Sequence, residues 1–247
     1  MIFLEEMDWK NFHSLDIDTS NNIYDKHVYD KDVYNKHLYD KPCLIEVCNQ
    51  DTLEGAIELK EKGYYPVLHN MCNSNIRGGY ASLYGNKNIV GAQEEDLIRR
   101  SNYMDYLNQI KYPLQPFTII YTSDVCFTKK GLREKYKLYK KEKYVDIIAC
   151  SAVENDTMGI YLSRKDAMTM ECKIEHIFQT AYKYRHDAIV LSAFGCGGFR
   201  CPPEHVSKIF KKVIDRWRYS FRCIRFCIFD ENYIKSNYQI FKDTLKG

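Results

Sequence analysis

The sequence predicts an α/β sandwich on a largely parallel or mixed sheet. Two observations carry that prediction. Brief, β-branched apolar runs alternate with amphipathic stretches of helical period from Cys43 to the end. Three clusters of glycine or acid also fall at the ends of such runs, which is where open α/β sheets hold their ligands.

The elements follow in order. CLIEV (43–47) reads as a strand, and Asn49 stands as N-cap for DTLEGAIELKEK, which Gly63 ends. YPVLHNM (65–71) is a buried strand, and QEEDLIRRSNYMDYLNQ (93–109) one helix. PFTIIYTSDV (116–125) and YVDIIACSAV (144–153) are strands. Ser163, three before Asp166, opens a helix whose apolar face is Met170, Ile174, Ile177 and Ala181. DAIVLSAFG is a strand running into glycines, after which Pro202 and Pro203 open a helix with inner face Val206, Ile209, Phe210, Val213, Ile214 and Trp217. The strand FRCIRFCIF and a helix near 233–245 finish the chain.

Residues 1–42 are assigned to an extension and 43–247 to the folded domain. Within the extension, YDKHVYDKDVYNKHLYD (24–40) repeats Tyr24, Tyr29, Tyr34 and Tyr39 every five residues, a period of neither helix nor strand. It reads as a solvated arm; docking of its tyrosines is the alternative. TKKGLREKYKLYKKEK (128–143) reads as a solvated excursion, or as a basic segment that steers a polyanionic partner.

With 247 residues, 45% hydrophobic and 28% charged, the chain can bury a full core. A net charge of +3 argues against wholesale coating of nucleic acid. Several of the ten cysteines (Cys48, Cys150, Cys223, Cys227) sit in or beside strand-like runs, and no CxxC pair occurs, so reduced thiols are expected. No apolar run approaches the roughly 20 residues that span a bilayer. With no leader-like start at MIFLEEMDWK, a soluble intracellular protein of cytoplasm or nucleus is expected, away from membranes.

The three clusters are NMCNSNIRGGY (70–80), GAQEEDL (91–97) and LSAFGCGGFRCPPE (191–204). In the third, Gly195, Gly197 and Gly198 allow consecutive amides to converge on an anion near a helix N-terminus. It matches neither the Rossmann nor the Walker pattern. In the second, Glu94, Glu95 and Asp96 crowd a helix's first turn, where acids offset the dipole. One of them could instead move a proton. Adjacent acids on a helix point about 100 degrees apart, so Glu94 and Glu95 cannot flank a sugar from opposite sides as in ordinary glycosidases.

Together the clusters resemble the poly(ADP-ribose) glycohydrolases of the macrodomain superfamily, particularly the bacterial type. NMCNSNIRGGY resembles the Asn-x-x-Asn and glycine-triplet signature, followed by QEE and by GCGGF at a strand end; YTSDVCF (121–127) and VDIIACSAV are lesser matches. The resemblance runs from about Tyr64 to Asp230. It implies a three-layer α/β/α macrodomain with a mixed central sheet that hydrolyses the ribose–ribose bond of poly(ADP-ribose) or ADP-ribosylated macromolecules from chain ends, with ADP-ribose as product. No cofactor or metal is implied, and a monomer is expected. Glu95 would be the catalytic acid, protonating the leaving hydroxyl and then activating water, with Glu94 its neighbour and Gln93 shaping the loop. The substrate's own diphosphate would stabilise the ribose cation. Asn73 would bind the adjoining ribose beside Gly78 and Gly79, Gly195, Cys196, Gly197 and Gly198 the diphosphate, Phe199 the ribose, and Phe229, the loosest match, the adenine. An acid protonated near neutral pH needs a raised pKa, which burial favours and the helix dipole opposes.

The pattern departs from the family at Tyr80, which stands where the third glycine belongs, and in the longer run from there to Gln93. Both bear on efficiency and substrate range. A reader that grips ADP-ribose without cutting, and a hydrolase of single ADP-ribose groups, stay open. His69 reads as packed at a strand end, Cys196 as a small loop residue, and Ser192 lacks a nucleophile-elbow context.

Overall fold

The structure, a computed structural model, describes residues 1–5, 38–79, 92–156, 159–230 and 236–246. Most of the tyrosine near-repeat, Tyr80 and the run up to residue 91 lie outside the described residues.

Seven strands form one sheet: β1 (Ile2–Glu5), β2 (Leu44–Cys48), β3 (Pro66–Met71), β4 (Ile119–Lys129), β5 (Leu138–Cys150), β6 (Ala188–Leu191) and β7 (Cys223–Cys227). Their spatial order is β1-β4-β5-β3-β6-β7-β2. From β5 to β2 all neighbours are parallel, while β4 runs antiparallel to β5 and to β1. The sheet is therefore mixed.

Helices cover both faces: α1 (Thr52–Glu61), α2 (Gln93–Arg100) and α3 (Tyr103–Leu107) on one, α4 (Arg164–Lys183), α5 (Pro203–Arg216) and α6 (Asn237–Leu245) on the other. Alternate residues of each strand feed the two layers. Leu68, Ile147, Val190 and Cys223 pack with Leu53, Ala56, Leu97 and Tyr103. Val67, Ile148, Ile189 and Phe226 pack with Met170, Ile174, Val206, Phe210 and Phe241. Each large apolar side chain so buried contributes roughly 1.5–3 kcal/mol. The inner faces expected for α4 and α5 are buried throughout, and Ser163 caps α4 by accepting from the Asp166 amide at 3.1 Å.

Four elements differ from expectation. The N-cap of α1 is Asp51, whose Oδ1 accepts from Glu54 N at 3.0 Å. Asn49 instead exchanges two hydrogen bonds with the Asp230 backbone, joining the ends of β2 and β7. The single helix expected over 93–109 breaks at Ser101, which is extended (φ −143, ψ 177). Ser101 bridges to Phe127, and Asn102 accepts from Cys126 N and donates its own amide to Cys126 O, so strand β4 takes the backbone groups that a continuous helix would use. The basic excursion is the tip of a long β4–β5 hairpin with a 3-10 turn at Leu132–Glu134. Finally, Ile2–Glu5, within the stretch assigned to the extension, pair with β4 as the sheet's edge.

Candidate active site

Parallel β3, β6 and β7 end on the same side of the sheet, and the first and third sequence clusters follow β3 and β6 there. The loop after β3 turns through Asn73, whose Oδ1 accepts from Asn75 N (2.8 Å) and Ile76 N (2.9 Å). With that oxygen committed, the side-chain amide group of Asn73 remains to donate. The turn closes at Gly78 and Gly79, both at positive φ (68 and 59). At Gly79 the need for glycine is double: a side chain there would collide with Glu95 Oε1 and come within 3.4 Å of Glu94 Oε2.

Both carboxylates thus converge on one glycine. They project from the first turn of α2, and both are buried, at 2% and 5% exposure. Glu94 is braced: Oε2 accepts from Asn73 N at 2.8 Å and Oε1 from Asn70 Nδ2 at 3.4 Å. Burial lifts its carboxyl from the ordinary 4.5 to about 8; the Asn73 and Asn70 donors pull against that, and Glu95 adds to it. Burial therefore holds the Glu94 carboxyl protonated near neutral pH.

Gln93 does not face the cleft. Its Oε1 accepts from Met71 N (2.8 Å), and its Nε2 donates to His69 O (2.9 Å) and Thr52 Oγ1 (3.0 Å). It fastens the start of α2 to β3 and α1, which fixes where the two glutamates stand. Asp96, the third acid, points the other way, to Arg100 and to the Tyr136 hydroxyl at 2.9 Å.

Arg100 is the residue that sequence reasoning missed. Fully buried, it donates from Nη1 to Asp51 and Asp96 (2.9 Å each) and from Nη2 to Glu54 (2.7 Å) and the Tyr139 hydroxyl (3.4 Å). Its Nε donates to Lys129 O at 3.2 Å. One guanidinium thus ties α2 to the start of α1 and to the β4–β5 hairpin. Its only local signal was Asp96 at i−4.

After β6, Gly195 is at φ 75, and a Cβ there would press on Ala152 Cβ and Cys201 Sγ at 2.9 Å. Gly197 and Gly198 differ: a Cβ on either would meet open space. The amides of Gly197, Gly198 and Phe199 have no hydrogen-bond partner among the described residues, so three consecutive N–H groups stand bare. Asn155 holds the loop from behind, its N donating to Phe199 O (2.8 Å) and its Nδ2 to Arg200 O (2.9 Å). An open groove of about 580 Å³ runs between Ile160–Tyr161 and the Cys196–Glu204 segment. Burial pushes the Cys196 thiol well up, and the thiol rests against Phe194 O, which makes it a small lining residue. His69, edge-on to Phe194, is pushed down to about 3 by burial and is neutral. Phe229, past the end of β7, is 42% exposed, and the Arg133 guanidinium lies 4.2 Å from its ring centre. A base stacking on Phe229 would use the opposite face or displace that guanidinium.

Residues 8–139, more than half of the chain, match the microbial-type PARG catalytic domain, a segment that includes Asn73, Gly79, Gln93, Glu94 and Glu95. The chain belongs to this family. Solved structures agree on the fold. Poly(ADP-ribose) glycohydrolase from Deinococcus radiodurans, in complex with ADP-ribose, is 21% identical, with a TM-score of 0.71 over 87% of this chain and 89% of that one. The enzyme from Thermomonospora curvata is also 21% identical, with a TM-score of 0.70 over 84% and 78%. A search of curated proteins finds no match. The macrodomain-like mixed sheet between helical layers is thus the fold expected from the sequence. All ten cysteines are free thiols, and among the described residues no helix is long and apolar enough to cross a membrane.

Proposed function

We propose that the chain hydrolyses the ribose–ribose O-glycosidic bond of poly(ADP-ribose) and releases ADP-ribose from chain ends. The observation that carries this reading is the convergence of two buried carboxylates on Gly79, across the strand ends from a loop of three bare amides. Membership of the microbial-type PARG family supports it, as does the ADP-ribose bound by the Deinococcus protein.

The residues divide the work. The Gly197, Gly198 and Phe199 amides hold the diphosphate, as backbone donors hold anions elsewhere. Asn73 offers its free amide group to a ribose hydroxyl. Glu95 gives a proton to the departing 2′-oxygen as the C1″–O bond breaks, and then takes one from the water that adds to C1″. Products are ADP-ribose and a polymer one unit shorter with a free 2′-hydroxyl. Because both carboxylates stand on one side, one acid serves both steps. Glu94, held neutral near pH 7 by burial, accepts from the Asn73 amide and keeps that turn in place. Gln93 positions both glutamates, Gly79 leaves them room, Gly78 closes the ribose-binding turn against Met104 and Ile98, and Phe199 and Phe229 pack against ribose and adenine.

Incubation with labelled polymer tests the reading. Release of free ADP-ribose, resolved by chromatography, is expected. Saturable binding with the polymer left intact would overturn it in favour of a reader.

A further inference from the structure

We propose that the tip of the β4–β5 hairpin is a docking track for the pyrophosphates of those poly(ADP-ribose) units that remain outside the cleft. The inference rests on the preceding reading of the cleft and adds a second binding surface to it.

Charge is the first observation. Of the 36 basic and 33 acidic residues in the chain, eight and two fall within 128–143. That segment is thus net +6 and the rest of the chain net −3. Such a density of positive charge on one hairpin attracts polyanions over about a Debye length.

The cations are uncommitted. Among the described residues Lys130, Lys135 and Lys137 have no acidic partner, while Lys143 pairs with Glu61 far down the hairpin. Lys135 and Lys137 are exposed, and Lys130 N donates to Lys137 O at 2.8 Å, which brings the two positions together across the tip.

Placement is the third observation. The tip is fastened to the catalytic helix: Tyr136 donates to Asp96 (2.9 Å), Tyr139 donates to Glu54 (2.6 Å), Arg100 grips Lys129 O, and Gly131 lies against the Arg100 guanidinium. From there Arg133 reaches Phe229 across the strand ends. The track is therefore held rigidly beside the cleft, running from α2 toward the end of β7. Each polymer unit carries two negative charges in its pyrophosphate, so a chain with its end in the cleft presents repeated anions to a fixed row of cations.

The test is the triple variant Lys130→Gln/Lys135→Gln/Lys137→Gln, with its melting temperature checked against wild type. The expected result is a KM for long chains raised about tenfold at low salt, an unchanged kcat, and an unchanged affinity for monomeric ADP-ribose. The slope of log KM against log salt should fall by about 2, at roughly 0.7 for each phosphate left without its lysine. An unchanged KM for long chains, or an equal loss of affinity for the monomer, would overturn the proposal. Loss of single-stranded DNA binding with the polymer KM intact would also overturn it, assigning the surface to nucleic acid. If wild type releases no ADP-ribose, the glycohydrolase reading fails separately; the track is then judged by polymer binding, which the variant should weaken by the same factor.

Discussion

The two banks of the cleft are built on opposite principles. On one, α2 presents two carboxylates held by a dense set of side-chain bonds: Gln93 to β3 and α1, Glu94 to Asn70 and Asn73, and Arg100 to three acids. On the other, the loop after β6 presents a run of backbone amides, with Gly195 folded tightly and Gly197 and Gly198 open. Proton transfer needs a particular group at a particular protonation state, which only a packed and desolvated side chain provides. Gripping a diphosphate needs converging donors and no bulk, which bare main chain provides. Damage to the two banks should therefore read out differently, as lost chemistry on the first and lost affinity on the second.

Glu95→Gln gives the largest expected effect. The kcat should fall by about 10² to 10⁴, while ADP-ribose affinity, measured by calorimetry, stays within a few-fold. Retained turnover would move the acid's role to Glu94. Arg100→Met comes next and acts on stability. Three acids would lose a shared buried cation, and the cost in urea unfolding should be about 3–5 kcal/mol. Because the hairpin loses its anchor as well, the KM for long polymer should rise more than the affinity for monomer falls.

How far this contrast was legible follows from where its causes lie. Glycine and acid clusters at strand ends are local signals, so Gly79, Gly195, Glu94 and Glu95 stood out in the sequence. The alternating periods that marked the sheet and the inner faces of α4 and α5 are local too. Arg100 was hidden because Asp51, Glu54 and Tyr139 reach it from about 50 and 40 residues away in sequence. The break at Ser101 and the edge strand β1 were hidden for the same reason, since both depend on hydrogen bonds to β4. The raised Glu94 carboxyl was also beyond local reading, because it follows from burial in the tertiary fold against the pull of Asn70 and Asn73.

That placement at Glu94 has a pH signature. Its folded value of about 8 lies above its ordinary 4.5, so between these values the folded chain keeps a proton that the unfolded chain has released. The stabilising contribution of this group is fully present below 4.5 and is lost as pH rises through about 8, with a slope of at most about 1.4 kcal/mol per pH unit. Glu94→Gln should remove that slope, so the stability of the variant relative to wild type should climb from pH 5 to 8 and level off above. Parallel urea titrations at pH 5, 6.5 and 8 measure it. A constant difference would mean that Glu94 is ionised in the fold and that burial has not prevailed there.

The smallest effects test the bare bank. Gly195→Ala places a Cβ against Ala152 and Cys201 at a positive φ, so it should cost about 1–3 kcal/mol of stability and weaken ADP-ribose binding through the displaced loop. Gly198→Ala meets no protein atom within 4 Å. Its stability should stay within about 0.5 kcal/mol of wild type. The added methyl would instead stand where a diphosphate oxygen approaches the amides, and the loss of about one hydrogen bond to a charged group corresponds to roughly tenfold weaker ADP-ribose binding. Calorimetry and thermal melts on the two variants separate a glycine required by the fold from one required by the ligand. Unchanged affinity in Gly198→Ala would show that the anion does not sit on those amides.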